Sequence, residues 1–131
     1  HLTPVVNLDT HNCVALSPRV DQTDNLFNYV TSDILLGSQS ETFQAYVGAL
    51  LPIDSGMRFY VQYITDDETA TRTWVEVFSE TGLTNDSANF REYQFNSANA
   101  TPFIGLKFMI ELTGNRIDFP SLRDFRMIAL V

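Results

Sequence analysis

The stretch "IGLKFMIEL", residues 104–112, carries the clearest sign of the fold. Leu106, Phe108 and Ile110 fall on one side of an alternating pattern, and Lys107 and Glu111 fall on the other. Side chains of a β-strand point alternately to the two faces of a sheet, whereas a helix repeats about every 3.6 residues. The stretch therefore predicts a central strand with one buried face and one moderately wet face.

The C-terminal stretch "SLRDFRMIALV", residues 121–131, alternates in the same way. The positions predicted to face the core are Phe125, Met127, Ala129 and Val131. The opposite face begins with Asp124 and Arg126 and becomes apolar at Ile128 and Leu130. Because a strand that is apolar on both sides is not left at an edge in water, we expect either a central strand or contact of Ile128 and Leu130 with another subunit.

Upstream segments continue the strand pattern. "TFQAYVGAL" (42–50) and "GMRFYVQYIT" (56–65) both alternate, and the turn-forming "LPIDSG" between them predicts neighbouring antiparallel strands. "TRTWVEVFS" (71–79) and "FREYQF" (90–95) are further predicted strands, with Trp74 expected to fill the core. Roughly seven to nine strands without a βαβ rhythm predict an all-β, two-layer antiparallel β-sandwich, either jelly-roll or immunoglobulin-like.

Composition restricts the class of protein and its partners. A length of 131 residues with 44% hydrophobic and 18% charged residues predicts a single globular domain over residues 1–131. A formal charge of −8 repels nucleic acid phosphates and anionic lipids, so neither nucleic acid nor a membrane is an expected partner. The single cysteine allows no intrachain disulfide. Since the first residue is His, we expect the C-terminal module of a longer chain.

Catalytic motifs are absent from the sequence. G-x-S-x-G, the P-loop, G-x-G-x-x-G and H-E-x-x-H do not occur. His11 and Cys13 have the spacing that places two side chains on one face of a strand, but no third residue marks an orienting partner. The sequence therefore predicts a protein that is not an enzyme.

Two segments resemble known β-sandwich modules. "VQYITDDETATRTWVEV" (61–77) resembles the central hairpin of galactose-binding-like jelly rolls, the discoidin-type superfamily. "FIGLKFMIELTG" (103–114) with "FPSLRDFRMIAL" (119–130) is similar to the closing strand pair of modules near the C-termini of tailed-phage fibre and baseplate proteins. The resemblances imply a galactose-binding-like jelly roll in a phage virion.

Carboxylates suggest one metal site. Asp21 and Asp24 have the i, i+3 spacing of a turn that surrounds a hard cation with oxygen atoms, and galactose-binding jelly rolls often carry a structural calcium near the start of the domain. A calcium ion held there is the one cofactor considered, beside the alternative of none. For the acidic segment 66–68, a solvated turn is the simpler interpretation.

A sugar-binding surface is the second kind of site considered. Sugars need aromatic faces for their C–H groups and polar side chains for their hydroxyls. Arg58, Tyr60 and Gln62 share the predicted outer face of one strand, and Arg91 and Tyr93 lie on another. The alternative is a sandwich face that is covered by amphipathic side chains.

Two hypotheses about function follow. The first is a non-enzymatic structural and interaction module of a phage virion (tail fibre, baseplate or capsid decoration) that packs against virion proteins or copies of itself, for example as a homotrimer. The second is a carbohydrate-binding adhesin module that recognises a cell-surface glycan. The expected location is the virion, or the extracellular space for a secreted protein.

Overall fold

The strands that the structure describes are all antiparallel, and they form two sheets. The computed structural model describes residues 6–7, 17–21, 26–97, 101–114 and 119–130, with the backbone alone for 6–7 and 17–21. Within them lie ten strands: β1 (Val6–Asn7), β2 (Ser17–Asp21), β3 (Leu26–Val30), β4 (Ile34–Ser40), β5 (Thr42–Leu50), β6 (Gly56–Ile64), β7 (Val75–Val77), β8 (Arg91–Asn96), β9 (Phe103–Thr113) and β10 (Ser121–Leu130). Among these residues no helix is long and apolar enough to cross a membrane.

Strand pairing builds one sheet of four strands and one of six. Sheet A has the order β1-β10-β5-β8. Sheet B has the order β2-β3-β9-β6-β7, and β4 pairs with β9 outside this path. Buried side chains of both sheets form one hydrophobic core. The predicted all-β, two-layer antiparallel jelly-roll sandwich is confirmed.

The two strands that the C-terminal sequence predicts most clearly are both central. β9 lies between β3 and β6, and its inward side chains Leu106, Phe108, Ile110 and Leu112 are at most 1% exposed. β10 lies between β1 and β5, and Phe125, Met127 and Ala129 are fully buried. The central position therefore explains the apolar end of the chain. Val131, which was also expected in the core, lies outside the described residues.

The predicted pairing of residues 42–50 with 56–65 is wrong. β5 pairs with β10 and β8 in sheet A, whereas β6 pairs with β9 and β7 in sheet B. The connection at 51–55 carries the chain from one sheet to the other, with Asp54 at a φ of 66° and the Ser55 N–H donating to the Pro52 carbonyl at 3.1 Å. Both strands bury one face in the shared core, so they meet through side chains and not through backbone hydrogen bonds.

The expectation that Trp74 fills the core is also wrong. β7 is only three residues long and lies at the edge of sheet B, so Trp74 precedes it and stays half-buried. Val77 is the core residue of this strand, and Phe78 after it is 75% exposed. A short edge strand limits the number of side chains that enter the core.

Aromatic rings hold the two sheets together. Phe108 of sheet B has its ring centroid 5.3 Å from Phe43 and 5.3 Å from Phe125 of sheet A. Phe59 of sheet B lies 5.4 Å from Phe108 and stacks on Phe95 of sheet A at 4.4 Å. Such pairs contribute packing energy beyond the burial of their area.

Replacing the central ring should destabilise the domain strongly. For Phe108→Ala we expect a loss of about 3–5 kcal/mol in the free energy of unfolding, because the cavity lies between two sheets that cannot both collapse into it. Phe78→Ala removes the same side chain from an exposed position, and its effect should stay within about 0.5 kcal/mol. Urea unfolding followed by circular dichroism measures both, and equal effects would contradict this account of the core.

A carboxylate organises the loop before β8. Asp86 Oδ1 accepts hydrogen bonds from the N–H groups of Ala88 at 2.9 Å and Asn89 at 3.2 Å. Asp86 Oδ2 accepts from the Asn89 amide at 3.2 Å and from Arg91 at 3.0 Å. The backbone bond from Ala88, followed by the Asn89 side chain, lowers the pKa of Asp86 from 3.8 to about 2.

This carboxylate should make stability depend on pH in acid. Its pKa is lower in the folded chain, so its contribution is complete above the ordinary pKa near 3.8 and is lost as the pH falls to about 2. A carbon-detected NMR titration of the Asp86 carboxyl should give a midpoint well below 3.8. In Asp86→Asn, the free energy of unfolding should fall less steeply over this pH range. A titration midpoint of Asp86 near 3.8 would contradict the hydrogen bonds described for this loop.

Candidate functional site

The outer surface of sheet B carries a row of polar side chains on three adjacent strands. Arg58, Tyr60 and Gln62 alternate along β6 with the buried Phe59 and Val61. Lys107, Met109 and Glu111 point outward from β9 in the same manner, and Glu76 points outward from β7. We call the surface formed by Arg58, Tyr60, Gln62, Glu76, Lys107, Met109 and Glu111 the B face.

Register sets the neighbours on the B face. Arg58 lies opposite Glu111, and Gln62 lies opposite Lys107. Tyr60 has Met109 on one side and Glu76 on the other. If the alternation of β7 is continued by one residue, the half-buried Trp74 lies on the same side as Glu76. The B face thus has an aromatic centre with cations and carboxylates around it.

The charged side chains of the B face form no ion pairs with the described residues. The described residues form three ion pairs, and none of them involves the four charged residues Arg58, Glu76, Lys107 and Glu111. A side-chain hydrogen bond with Tyr60, followed by the nearby carboxylates of Glu76 and Glu111, raises the pKa of the Arg58 guanidinium. Arg58 therefore stays a cation, and its remaining donors face solvent.

One end of the B face changes from polar to apolar. Ile64 and Leu35 lie on either side of Gly105 by register, and Leu35 is 71% exposed. A Cβ atom added to Gly105 would come within 2.9 Å of the Ile34 carbonyl oxygen and 3.2 Å of both flanking side chains. A side chain is excluded here mainly by the Ile34 carbonyl, because backbone cannot move aside as the ends of Ile64 and Leu35 can.

A cleft of about 540 Å³ opens beyond this apolar end. It lies between the end of β6 and the start of β7 and is lined by Tyr63, Ile64, Thr65, Asp67, Glu68, Ala70, Thr71, Arg72, Thr73, Val75 and Thr101. Two bonds, at 2.7 and 3.1 Å, join the Arg72 guanidinium to the Asp33 carboxylate. The hydrogen bonds from Arg72 lower the pKa of Asp33, and the same bonds raise the pKa of Arg72, so the two side chains stay a charged pair.

The outer surface of sheet A, which we call the A face, is built differently. The Arg126 guanidinium covers the ring of Tyr46 at 4.6 Å and binds Glu92 at 2.7 Å. The Tyr46 hydroxyl donates to Gln44 at 3.0 Å, and the Gln94 amide donates to Asn96 at 2.9 Å. Polar groups of the A face therefore bond mainly to one another, in contrast to those of the B face.

The structure divides the five predicted sugar-binding residues between the two sheets. Arg58, Tyr60 and Gln62 lie together on the B face. Arg91 and Tyr93 belong to β8 of sheet A. Tyr93 is only 3% exposed and donates its hydroxyl to the Thr84 carbonyl at 2.9 Å, while Arg91 pairs with Asp86. Tyr93 is thus a core residue, since it shares the inward side of β8 with Phe95.

Three polar residues of the B face were not predicted as site residues. Glu76, Lys107 and Glu111 occupy outward positions of predicted strands, so alternation alone marks them as exposed. What the sequence lacks is the register that places them beside Arg58, Tyr60 and Gln62. That register depends on pairing between β6 and β9, which are separated by a long stretch of chain.

The remaining predicted residues are only partly covered by the structure. Asp24, His11 and Cys13 lie outside the described residues, and Asp21 is described by its β2 backbone alone, so the calcium site stays a prediction. In the acidic turn, Asp67 accepts bonds from the Thr69 hydroxyl and N–H at 2.6 and 3.0 Å, and these lower its pKa. The side chains that the structure describes contain no group of three metal-binding residues.

Ile128 and Leu130 lie half-buried on the A face. They stand opposite Gln44 and Thr42 of β5, at the end of the face away from the Arg126–Glu92 pair. The structure therefore leaves both residues accessible although their strand is central.

Solved structures of other proteins share this fold. A chain of infectious bursal disease virus, Gx strain, aligns with 98% of this chain at a TM-score of 0.57 and 12% identity, and this chain spans only 32% of it. The Clostridium thermocellum xylanase 10B structure, with CBM22-1 and GH10 modules and bound xylohexaose, aligns at 0.55 and 8% identity over 98% of this chain and 25% of its own. The xylan-binding module CBM15 aligns at 0.52 and 10% identity, over 98% and 97% of the two chains.

These likenesses define the class of fold. The chain is a β-sandwich module with a fold that a virus chain and a xylan-binding module also have. No protein-family model matches the sequence, and a search of curated proteins finds no match.

Proposed function

We propose that the chain is a non-catalytic carbohydrate-binding module that holds a glycan along the B face. The observation that carries the proposal is the contrast between the two outer surfaces. On the A face the aromatic ring is covered and the polar groups bond to one another. On the B face Tyr60 is flanked by donors and acceptors that form none of the ion pairs of the described residues.

The B face offers the interactions that a sugar chain requires. The ring of Tyr60 supports contact with the C–H groups of a pyranose. Arg58, Gln62 and Lys107 donate to sugar oxygens, while Glu76 and Glu111 accept from sugar hydroxyls. From Glu111 to Lys107 the strand extends about 13 Å, so the surface suits an extended chain better than a single sugar.

The arrangement of carboxylates fits binding and not hydrolysis. Glu76 and Glu111 lie on β7 and β9, which flank β6, so two strand spacings of about 4.8 Å separate their backbones. They are also offset by two residues along the strands, because Glu76 is opposite Tyr60 and Glu111 is opposite Arg58. Both are on the open surface of a sheet. A glycosidase places two carboxylates on opposite sides of the scissile bond in a cleft that also distorts the sugar.

The fold comparison supports this proposal in a limited way. The xylan-binding module matches nearly end to end, so a sandwich of this size is sufficient for binding a polysaccharide. The sequence identity is only 10%, and the identity of the glycan must therefore come from the B face itself.

Removing the central ring of the B face should abolish glycan binding. A glycan array identifies the best ligand, and calorimetry measures its affinity. Tyr60→Ala should weaken this affinity at least about tenfold, because the sugar loses the aromatic ring that it contacts and the side chains around the ring lose their support. Tyr46→Ala is the matched control on the A face and should leave affinity within about twofold, since its ring is already covered by Arg126.

Two results would contradict the proposal. Absence of binding to every glycan on the array would remove the carbohydrate function. A larger loss for Tyr46→Ala than for Tyr60→Ala would move the site to the A face. The melting temperatures of both variants, measured in parallel, separate loss of binding from loss of folding.

A structural role in a virion is the second candidate function. The half-buried Ile128 and Leu130 form an apolar strip on the A face, and the virus chain has the same fold. In this role the module packs against other proteins of a phage tail or against copies of itself. The virion would then be its location, whereas the glycan function alone also suits a secreted protein.

The apolar strip can be tested by charge substitution. If it is an association surface, light scattering should show the wild-type module above monomer mass, and Ile128→Lys with Leu130→Lys should restore the monomer, because a lysine buried without a partner is costly. Ser121→Lys adds a lysine to an exposed position at the other end of β10 and serves as the control. A monomeric wild type would reject self-association.

A further inference from the structure

The cleft at the end of β6 is continuous with the B face. Ile64 connects the two, because it lines the cleft and follows Gln62 on the outward side of β6. Val75 also lines the cleft, and because it lies opposite the buried Val61, its side chain is on the inward side of sheet B. The cleft therefore reaches from the outer side of the sheet at Ile64 to the inward side at Val75. A chain that lies along the B face therefore reaches the cleft at the end formed by Gln62 and Lys107.

Both apolar and hydroxyl-bearing side chains line the cleft. Ile64, Ala70 and Val75 supply methyl groups, and Val75 is 45% exposed. Hydroxyl groups come from threonines on three different segments of the chain: Thr65, Thr71, Thr73 and Thr101. Such a lining fits a group that has a methyl end beside a hydrogen-bond acceptor.

Charge in the cleft argues against an acidic ligand. Among the described residues that line it, Arg72 is the only basic one, and it is bonded through two nitrogen atoms to Asp33. Asp67 and Glu68 leave the lining with a negative balance. A carboxylated or phosphorylated sugar would therefore be repelled, so the methyl and hydroxyl groups are left to select the ligand.

We propose that this cleft binds an acetylated sugar, with the acetyl methyl against Val75 and the acetyl carbonyl accepting from a threonine hydroxyl. The inference rests on the proposed function, and it adds the class of sugar that the module selects. The volume of about 540 Å³ lies in the range of small-molecule sites, so the cleft has room for the sugar ring as well as its acetyl group.

Simple sugars test the cleft separately from the B face. Methyl-resolved NMR titrations with N-acetylglucosamine, N-acetylgalactosamine, glucose and glucosamine should show shifts of the Ile64, Ala70 and Val75 methyl groups with the two acetylated sugars. Affinity for these sugars should exceed that for glucose at least about fourfold, which corresponds to the transfer of one methyl group out of water.

Two variants with a control connect this selectivity to the cleft. Ala70→Trp should block the cleft and abolish the response to the acetylated sugars, because Ala70 is an exposed lining residue and the larger side chain has no core to disrupt. Val75→Thr keeps the size of the side chain and should reduce the preference over glucose. Ile53→Thr makes a similar change at a site that is 62% exposed and outside the cleft, and it should have no effect.

The outcomes separate this inference from the proposed function. Equal responses to glucose and N-acetylglucosamine, or a stronger response to glucosamine, would overturn the acetyl assignment while glycan binding on the B face remained testable by Tyr60→Ala. Shifts confined to B-face residues would overturn it as well. The opposite outcome is that acetylated sugars still shift the cleft methyl groups in Tyr60→Ala but no extended glycan binds on the array. This outcome would reject glycan binding on the B face and leave the acetyl assignment in place.

Discussion

Packing of aromatic rings between the sheets is the constraint on which the other features depend. Phe108 contacts Phe43 and Phe125 across the sandwich, and Phe59 stacks on Phe95. These rings fix which side of β6 and β9 faces inward. Because side chains alternate along a strand, the same packing sends Tyr60, Lys107 and Glu111 to the outside. The candidate site is thus the outer side of the strands that carry the core.

The two outer surfaces show how one fold produces different chemistry on its two sides. On the A face, Gly48 lets the Asp124 carboxylate lie against the backbone, since a Cβ there would overlap that side chain. Arg126 then spans to Glu92 and covers Tyr46. Sheet B has its close-approach glycine at Gly105, where apolar side chains and not charges fill the space. The first arrangement closes a polar network, and the second leaves the polar residues open and ends in a cleft.

The change in character along the B face gives the proposed site a direction. Arg58 and Glu111 lie at one end and Tyr60 lies in the middle. Gln62 and Lys107 follow, and Ile64 with Leu35 leads from them to the cleft. A glycan with hydroxyl groups along its length and an acetylated unit at one position would match this order. The extended face and the enclosed cleft impose separate requirements, so each contributes to specificity in its own way.

Alternation in the sequence by itself determined that this is an all-β sandwich, which stretches form its main strands, and which side chains of β5, β6, β9 and β10 enter the core. It also placed Arg58, Tyr60 and Gln62 on one outer face, and the same rule applied to "FREYQF" would have assigned Tyr93 to the core beside Phe95. These features follow from the pleat of a single strand, which is a local property.

Only the tertiary structure decided which strands are neighbours. It separated β5 from β6, limited β7 to three residues, and brought Glu76, Lys107 and Glu111 beside Tyr60. It also joined residues 63–75 with Thr101 in one cleft. Pairing depends on the register between segments far apart in the chain, and any two alternating strands present equally suitable backbones to each other. The packing of the whole core selects among these pairings, and a single strand's sequence does not record that choice.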